Sequence, residues 1–312
     1  MGNSEQLLEI KGLGKRYASR RGQAEEHKAL SDIDFEARPG ELISVIGPSG
    51  AGKSTFLRCV NRLIEPTDGT ITFLGQDITH LKRGQLRPVH RQIAMIFQNY
   101  NLVYRLTAIQ NVLHGRLGYK NPVAGSLGLY TEEEKMHAFE LLDEVGLGEF
   151  AYRRADQLSG GQMQRVGIAR ALNQDPKIIL ADEPIASLDP KSSKMVMDHL
   201  KRVARERGIC CIVNLHQVDF ARDYSDRIVA LRFGEKVFEG TSDELTASAV
   251  RHIYEGAGDD DALVEVEVPD TAAQKVAGAA AGLADAASAT AAAAATAATA
   301  AAASTTPTGS AQ

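Results

Sequence analysis

The sequence contains no tryptophan, only three cysteines in 312 residues and only 5% aromatic residues. The cysteines, Cys59, Cys210 and Cys211, are too few for a disulfide framework, and their spacing is not that of a metal site. Cys210 and Cys211 are neighbours in an apolar run that predicts a strand, so their side chains point to opposite faces and cannot bind one ion together. We therefore expect three small buried hydrophobic residues in a protein of a reducing compartment.

The sequence also lacks a long apolar run and an excess of positive charge. The first six residues do not have the basic and apolar stretches of a signal peptide, and no window offers about 18 strongly apolar residues. The net charge of the chain is −5. The segment from Asp259 onward has a net charge of −6, so the rest of the chain has a net charge of +1. A nearly neutral body argues against nucleic acid as the main partner.

Short apolar runs that alternate with helix-like stretches predict an α/β fold with a mainly parallel sheet. The predicted strands are residues 7–10, 42–46, 70–74, 93–97, 178–181, 209–215 and 227–231. The predicted helices are residues 53–63, 161–173 and 192–207. Residues 7–35 and 70–74 are typical of strands joined by turns, such as that at residues 67–69, so we expect a small antiparallel β subdomain there.

Two segments depart from the alternating pattern. Between about residues 98 and 160 helical spacing replaces the strands, which predicts an inserted helical subdomain. After Gly258 the composition becomes rich in Ala and Thr, and residues 288–304 contain no Leu, Ile, Val or Phe that could form a core. We therefore predict one domain over residues 1–258 and a disordered low-complexity tail over residues 259–312.

A glycine-rich loop follows the predicted strand 42–46 and opens a helix, the setting that a phosphate-binding P-loop requires. Its backbone N–H groups and the helix N-terminus would face phosphates, with Lys53 at the β- and γ-phosphates and Ser54 on Mg²⁺. We name this segment the phosphate loop; it consists of Gly47, Pro48, Ser49, Gly50, Ala51, Gly52, Lys53, Ser54 and Thr55.

Two carboxylates, Asp182 and Glu183, end the apolar strand 178–181. Ligands gather at the carboxyl ends of strands in parallel sheets. We therefore expect Asp182 to orient the magnesium shell and Glu183 to polarise the attacking water.

A third motif, which we name the signature turn, resembles the signature of ABC ATPases. It consists of Leu158, Ser159, Gly160, Gly161 and Gln162. Ser159 would cap a helix that begins at the glycines, which creates a second anion site. The resemblance implies that this turn completes the γ-phosphate shell of a second subunit, and that the fold is a P-loop NTPase core of the ABC type.

Further positions match the family pattern in the same order. The resemblance implies that Gln98 contacts magnesium and water, that His216 contacts the γ-phosphate, and that Tyr17 stacks on adenine. It also implies that a dimer loop crosses the interface between two copies; the dimer loop consists of Ser187, Leu188 and Asp189. ATP and Mg²⁺ are the expected cofactors. One phosphate loop and one signature turn per chain imply a homodimer.

Residues 7–256 resemble the phosphonate-import subgroup of ABC ATPases most, through short runs at 101–103, 105–106, 111–113, 115–118, 152–157, 186–190 and 214–219. The resemblance implies integral-membrane permease partners that dock near residues 99–118, an indirect link to a periplasmic substrate-binding protein, and a peripheral place on the cytoplasmic face of the inner membrane. None of these runs would touch the cargo. The tail, and Met163 after the signature turn, depart from the family pattern.

Several alternatives stay open at this stage. The first is an importer of phosphite, of a phosphate-like oxyanion or of an amino acid. The second is an exporter. A soluble ABC ATPase of DNA repair or ribosomes is disfavoured because the chain has neither a long heptad region nor a second phosphate loop. A small-molecule kinase would leave the signature turn unexplained.

Overall fold

The computed structural model describes residues 6–18 and 27–255, and it has two β-sheets. The smaller sheet is antiparallel, with the strand order β2-β1-β4-β5. Its strands are β1 (Leu8–Tyr17), β2 (His27–Ala37), β4 (Asp68–Phe73) and β5 (Gln76–Asp77). The predicted antiparallel layer is thus confirmed, although β1 is longer than the apolar run that indicated it.

The larger sheet has the order β10-β9-β3-β8-β7-β6, and β9, β3, β8, β7 and β6 are mutually parallel. Its strands are β3 (Leu42–Ile46), β6 (Ile93–Ile96), β7 (Ile178–Asp182), β8 (Cys210–Asn214), β9 (Arg227–Arg232) and β10 (Glu235–Gly240). Strands β3, β6, β7 and β8 are buried along their whole length, because helices cover both faces of a parallel sheet. The α/β class is therefore confirmed.

Strand β10 was not predicted. It pairs antiparallel with β9 across a turn at Phe233 and Gly234, both with positive φ. Its residues are exposed or half-buried, so it lacks the apolar run that marks the central strands.

Nine α-helices and three short 3-10 helices lie among the described residues. The α-helices are α1 (Lys53–Val60), α2 (Arg87–Gln92), α3 (Ala108–Leu113), α4 (Pro122–Ser126), α5 (Glu132–Glu144), α6 (Gly160–Leu172), α7 (Pro190–Arg207), α8 (Val218–Tyr224) and α9 (Ala247–Tyr254). A reciprocal cap starts α5, since Thr131 accepts from the backbone N–H of Glu134 and the Glu134 carboxylate accepts from that of Thr131.

The chain between β6 and β7, which is described throughout, contains α3 to α6 and no strand beyond a single bridge between Thr107 and Arg154. The limits of the helical subdomain at about 98–160, and the domain boundary at 258, stay predictions. The predicted tail, 259–312, lies outside the described residues. None of the helices in the described ranges combines the length and the apolar character that crossing a membrane requires.

All three cysteines are reduced and buried, as their sequence context predicts. Burial raises the pKa of Cys59 to about 11 and that of Cys211 to about 12, and it raises the pKa of Cys210 well above its ordinary value. Their thiols therefore pack as small apolar groups.

Candidate nucleotide site

The phosphate loop leaves the carboxyl end of β3 and turns into α1, and two of its glycines are sterically required. A Cβ on Gly47 would lie 2.1 Å from the carbonyl oxygen of Leu231, and one on Gly52 would lie 2.6 Å from that of Ala29. Both have a positive φ, 142° and 103°, that residues with side chains rarely adopt. The backbone of the phosphate loop thus packs closely against one strand of each sheet, β9 and β2.

Lys53, the first residue of α1, is 5% exposed and folds back across this loop. Its Nζ donates to the carbonyl oxygens of Gly47 and Pro48, at 2.6 and 3.0 Å. A buried ammonium at a helix N-terminus makes this end of the sheet attractive to phosphate.

Asp182, the last residue of β7, is buried, and three side chains contact its carboxylate. Ser54 Oγ donates to its Oδ1 at 2.7 Å, Asn214 Nδ2 donates to the same oxygen at 2.8 Å, and Arg58 Nη2 lies 3.5 Å from Oδ2. The buried Oδ1 of Asn214 has no hydrogen-bond partner among the described residues. Hydroxyl, carboxylate and amide oxygens are the ligands that Mg²⁺ prefers, so these residues fit that ion.

Mg²⁺ is usually held by one or two carboxylates together with substrate phosphates. In keeping with this, no group of three His, Cys, Asp or Glu side chains in the described part of the chain could hold a metal by itself. A magnesium site here would therefore depend on the nucleotide.

Glu183 follows Asp182 and has a left-handed backbone, with φ of 53°. Gln98 Nε2 donates to its Oε2 at 2.8 Å, and His216 Nε2 lies 2.6 Å from its Oε1. The hydrogen bond from His216 lowers the pKa of Glu183 against the opposing effect of partial burial, and the charges of His216 and Lys53 lower it further. Glu183 is thus kept as a carboxylate, the form that a general base needs.

Tyr17 and His27 stand opposite each other in the register of β1 and β2. Both line a cleft of about 240 Å³ with residues 49–55 of the phosphate loop, Glu183 and His216. Lys15 Nζ lies 5.2 Å from the centre of the Tyr17 ring. The ring is therefore part of the wall of the cleft that also contains the Glu183 carboxylate.

The signature turn and the dimer loop are not among the residues that line this cleft. Ser159 caps α6, accepting from the backbone N–H of Gln162 at 3.3 Å, and Asp189 caps α7 in the same way through Ser192 at 3.0 Å. A Cβ on Gly161 would lie 2.7 Å from Ser192 Oγ, so the two helix starts are packed together. Both present helix N-termini that attract anions.

The structure brings together Tyr17, the phosphate loop, Gln98, Asp182, Glu183 and His216, whereas the signature turn and the dimer loop do not line the cleft. Asn214, Arg58 and His27 also belong to this group of residues, although no sequence motif marks them. Asn214 could have been found, because it lies near the end of the predicted strand 209–215, at the edge where Asp182 also lies.

The sequence profile of the ABC transporter family matches residues 30–186. The chain is 56% identical over 248 residues to the phosphonates import ATP-binding protein PhnC 2 of Oceanobacillus iheyensis, covering 80% of this chain and 95% of that protein. It is 54% identical over 248 residues to the phosphonates import ATP-binding protein PhnC of Lactiplantibacillus plantarum, covering 80% and 94%.

Solved structures of ATP-binding cassettes have the same fold. One is a dimeric structure of the cassette MJ0796 in a post-hydrolysis state bound to ADP and Pi, with a TM-score of 0.67, 36% identity, and coverage of 76% of this chain and 99% of that one. Another is the cassette MJ1267 in its ADP conformation, with a TM-score of 0.69, 28% identity, and coverage of 80% and 99%.

Proposed function

Because the chain belongs to the ABC transporter family of ATP-binding proteins, we propose that it is the ATP-hydrolysing subunit of a phosphonate importer. One observation carries the hydrolytic part of this proposal. The carboxylate of Glu183 is held between Gln98 and His216 at the mouth of the phosphate loop. A carboxylate so placed can accept a proton from a water molecule beside the γ-phosphate of ATP.

The residues of this chain divide the work. The N–H groups of the phosphate loop and the ammonium of Lys53 bind the phosphates, and Tyr17 stacks on the adenine. Glu183 orients water and takes its proton, while His216 and Gln98 hold the carboxylate in place. Ser54 and Gln98 would contact Mg²⁺, with Asp182 in its outer shell. When bound, that ion neutralises charge on the β- and γ-phosphates.

The working unit in this proposal is a homodimer that docks on integral-membrane permease subunits. The signature turn and dimer loop do not line the chain's own cleft, which supports their use on ATP held by the second copy. ATP then acts as an adhesive between subunits, and its hydrolysis releases them. We place the dimer on the cytoplasmic face of the inner membrane, where the permease receives solute from a periplasmic binding protein.

Phosphonate is the proposed cargo because the relatives named above are phosphonate import proteins and the chain spans 95% and 94% of their lengths. The test is growth of a gene deletion strain on methylphosphonate, phosphite or phosphate as the only phosphorus source. We expect a defect on methylphosphonate alone, restored by the gene. Normal growth on methylphosphonate would refute the cargo, and a defect on phosphite alone would establish phosphite instead.

Replacing Tyr17 tests the adenine contact. We expect Tyr17→Ala to raise the Kd for ATP about tenfold, because stacking on a base contributes about 1–3 kcal/mol. Tyr17→Phe should bind like the wild type, since the hydroxyl is not needed for stacking. Isothermal titration calorimetry measures both, and Tyr152→Ala, at an exposed tyrosine outside the cleft, is the control. Equal affinities for all four proteins would contradict the assignment.

Replacing His216 tests whether this residue keeps Glu183 deprotonated, and the pH dependence of kcat is the measurement. Because His216 lowers the pKa of Glu183, His216→Ala should raise that pKa and leave the base protonated over a wider acid range. The acid limb of the pH profile of kcat should therefore move to higher pH, in addition to a lower maximum. A lower maximum with an unmoved acid limb would show that His216 does not act through Glu183.

A further inference from the structure

The loop formed by residues 98–101, the Gln98 loop, contains two consecutive residues other than glycine in the left-handed region. The backbone φ is 57° at Tyr100 and 47° at Asn101. A bulky side chain such as tyrosine rarely adopts this conformation, so contacts outside the loop must stabilise it.

Arg170, near the end of α6, supplies these contacts. Its Nη1 donates to the carbonyl oxygen of Asn101 at 2.6 Å, and its Nη2 donates to that of Tyr100 at 2.9 Å. Burial lowers the pKa of Arg170, and no carboxylate in the described part of the chain forms an ion pair with it. A partly buried guanidinium without a counterion depends on hydrogen bonds to offset its lost hydration. The hydrogen bonds of Arg170 are made to the backbone of the Gln98 loop, which they fix in position.

The start of the same helix holds the other side of this loop. A Cβ on Gly160 would lie 2.9 Å from Tyr100 Oη and 3.8 Å from Leu188 Cδ2. Gly160 therefore leaves room for the tyrosine, and the Gln98 loop, the signature turn and the dimer loop form one packed layer. Helix α6 contacts the loop at both of its own ends.

We infer that Arg170 is a positioning residue that makes the Gln98 loop and α6 move as one body. This inference rests on the proposed function, in which Gln98 serves the ATP of its own subunit and the signature turn serves the ATP of the second copy. A rigid link between the two would let occupancy of one site change the geometry of the other. Arg170 would thus couple the two ATP sites of the dimer.

The test is Arg170→Met in the full chain, assayed by phosphate release over a range of ATP concentrations. Methionine fills similar volume but donates to neither carbonyl. We expect the Hill coefficient to fall from its wild-type value, between 1 and 2 for two sites, to about 1. We also expect the maximal rate to fall about tenfold, while the Kd for ATP, measured in the absence of turnover, changes less than about twofold.

Arg202→Met is the matched control. Arg202 is also partly buried and donates to a backbone carbonyl, that of Glu144, at 3.2 Å, but it lies on α7 away from the Gln98 loop. This variant should keep the wild-type Hill coefficient. A general effect of losing a partly buried arginine would lower the coefficient in both variants and would overturn the inference.

Arg170→Lys carries the test if the methionine variant does not fold. Its single ammonium cannot form the planar fork onto two carbonyls, so the Hill coefficient should again fall. A wild-type coefficient in a folded Arg170 variant, or non-cooperative turnover by the wild-type chain, would overturn the coupling role. Absence of any ATP turnover by the wild-type chain would instead refute the proposed function.

Discussion

Replacing Glu183 with glutamine is expected to reduce ATP turnover about a thousandfold, because an amide cannot accept the proton of the attacking water. The shape of the side chain is retained, and its amide oxygen can still accept from His216 Nε2, which lies 2.6 Å from Oε1 in the native chain. Nucleotide binding should therefore persist. Since ATP would remain intact at the interface, the variant should accumulate as a closed dimer.

Phosphate release and sedimentation velocity with ATP measure the two outcomes. Glu239→Gln is the matched control, because this glutamate of β10 forms ion pairs with Arg227 and Lys236 and does not line the nucleotide cleft. It should turn over ATP within about twofold of the wild type. Turnover by Glu183→Gln above about a tenth of the wild-type rate would remove Glu183 from the role of base.

Replacing Lys53 with alanine is expected to raise the Kd for ATP about a hundredfold or more, which is about 3 kcal/mol. The lysine is almost completely buried and carries the positive charge closest to the loop carbonyls of Gly47 and Pro48. Without it, the β- and γ-phosphates would meet the loop with their charge uncompensated.

Comparison of three nucleotides makes this test specific. The affinities for ATP and ADP should fall strongly, whereas that for AMP should change little, because AMP lacks the phosphates that Lys53 contacts. Lys201→Ala is the control, since Lys201 also donates to a backbone carbonyl, that of Asp223, at 3.0 Å. An equal loss for all three nucleotides would indicate a collapsed loop, and unchanged affinity for ATP would place Lys53 outside the site.

The sequence was most informative where chain order determines position. Asp182, Glu183, Gln98 and His216 all follow predicted strands of one parallel sheet, and the carboxyl ends of such strands share an edge. Their convergence could therefore be anticipated before any coordinates were known. The central strands could be predicted for the same reason, since burial on both faces leaves unbroken apolar runs.

Contacts between a side chain and a distant backbone carbonyl could not be predicted. The hydrogen bonds of Arg170 to the Gln98 loop join residues 69 and 70 positions apart. Every residue has a backbone carbonyl, so the sequence does not reveal which carbonyl accepts a hydrogen bond. Strand β10 escaped prediction because an edge strand with exposed side chains has no apolar period. The sequence thus predicts which residues meet at the sheet edge better than what holds the loops around them.

The three buried cysteines have a practical consequence for measurements of closure. With the pKa of Cys59 at about 11 and that of Cys211 at about 12, almost no thiolate is present at neutral pH to attack a maleimide. A single cysteine introduced at an exposed site should therefore take up a fluorophore or spin label selectively, with the native thiols left in place. Distances measured between labels on two copies would then report the opening of the proposed dimer, and no native cysteine would have to be replaced.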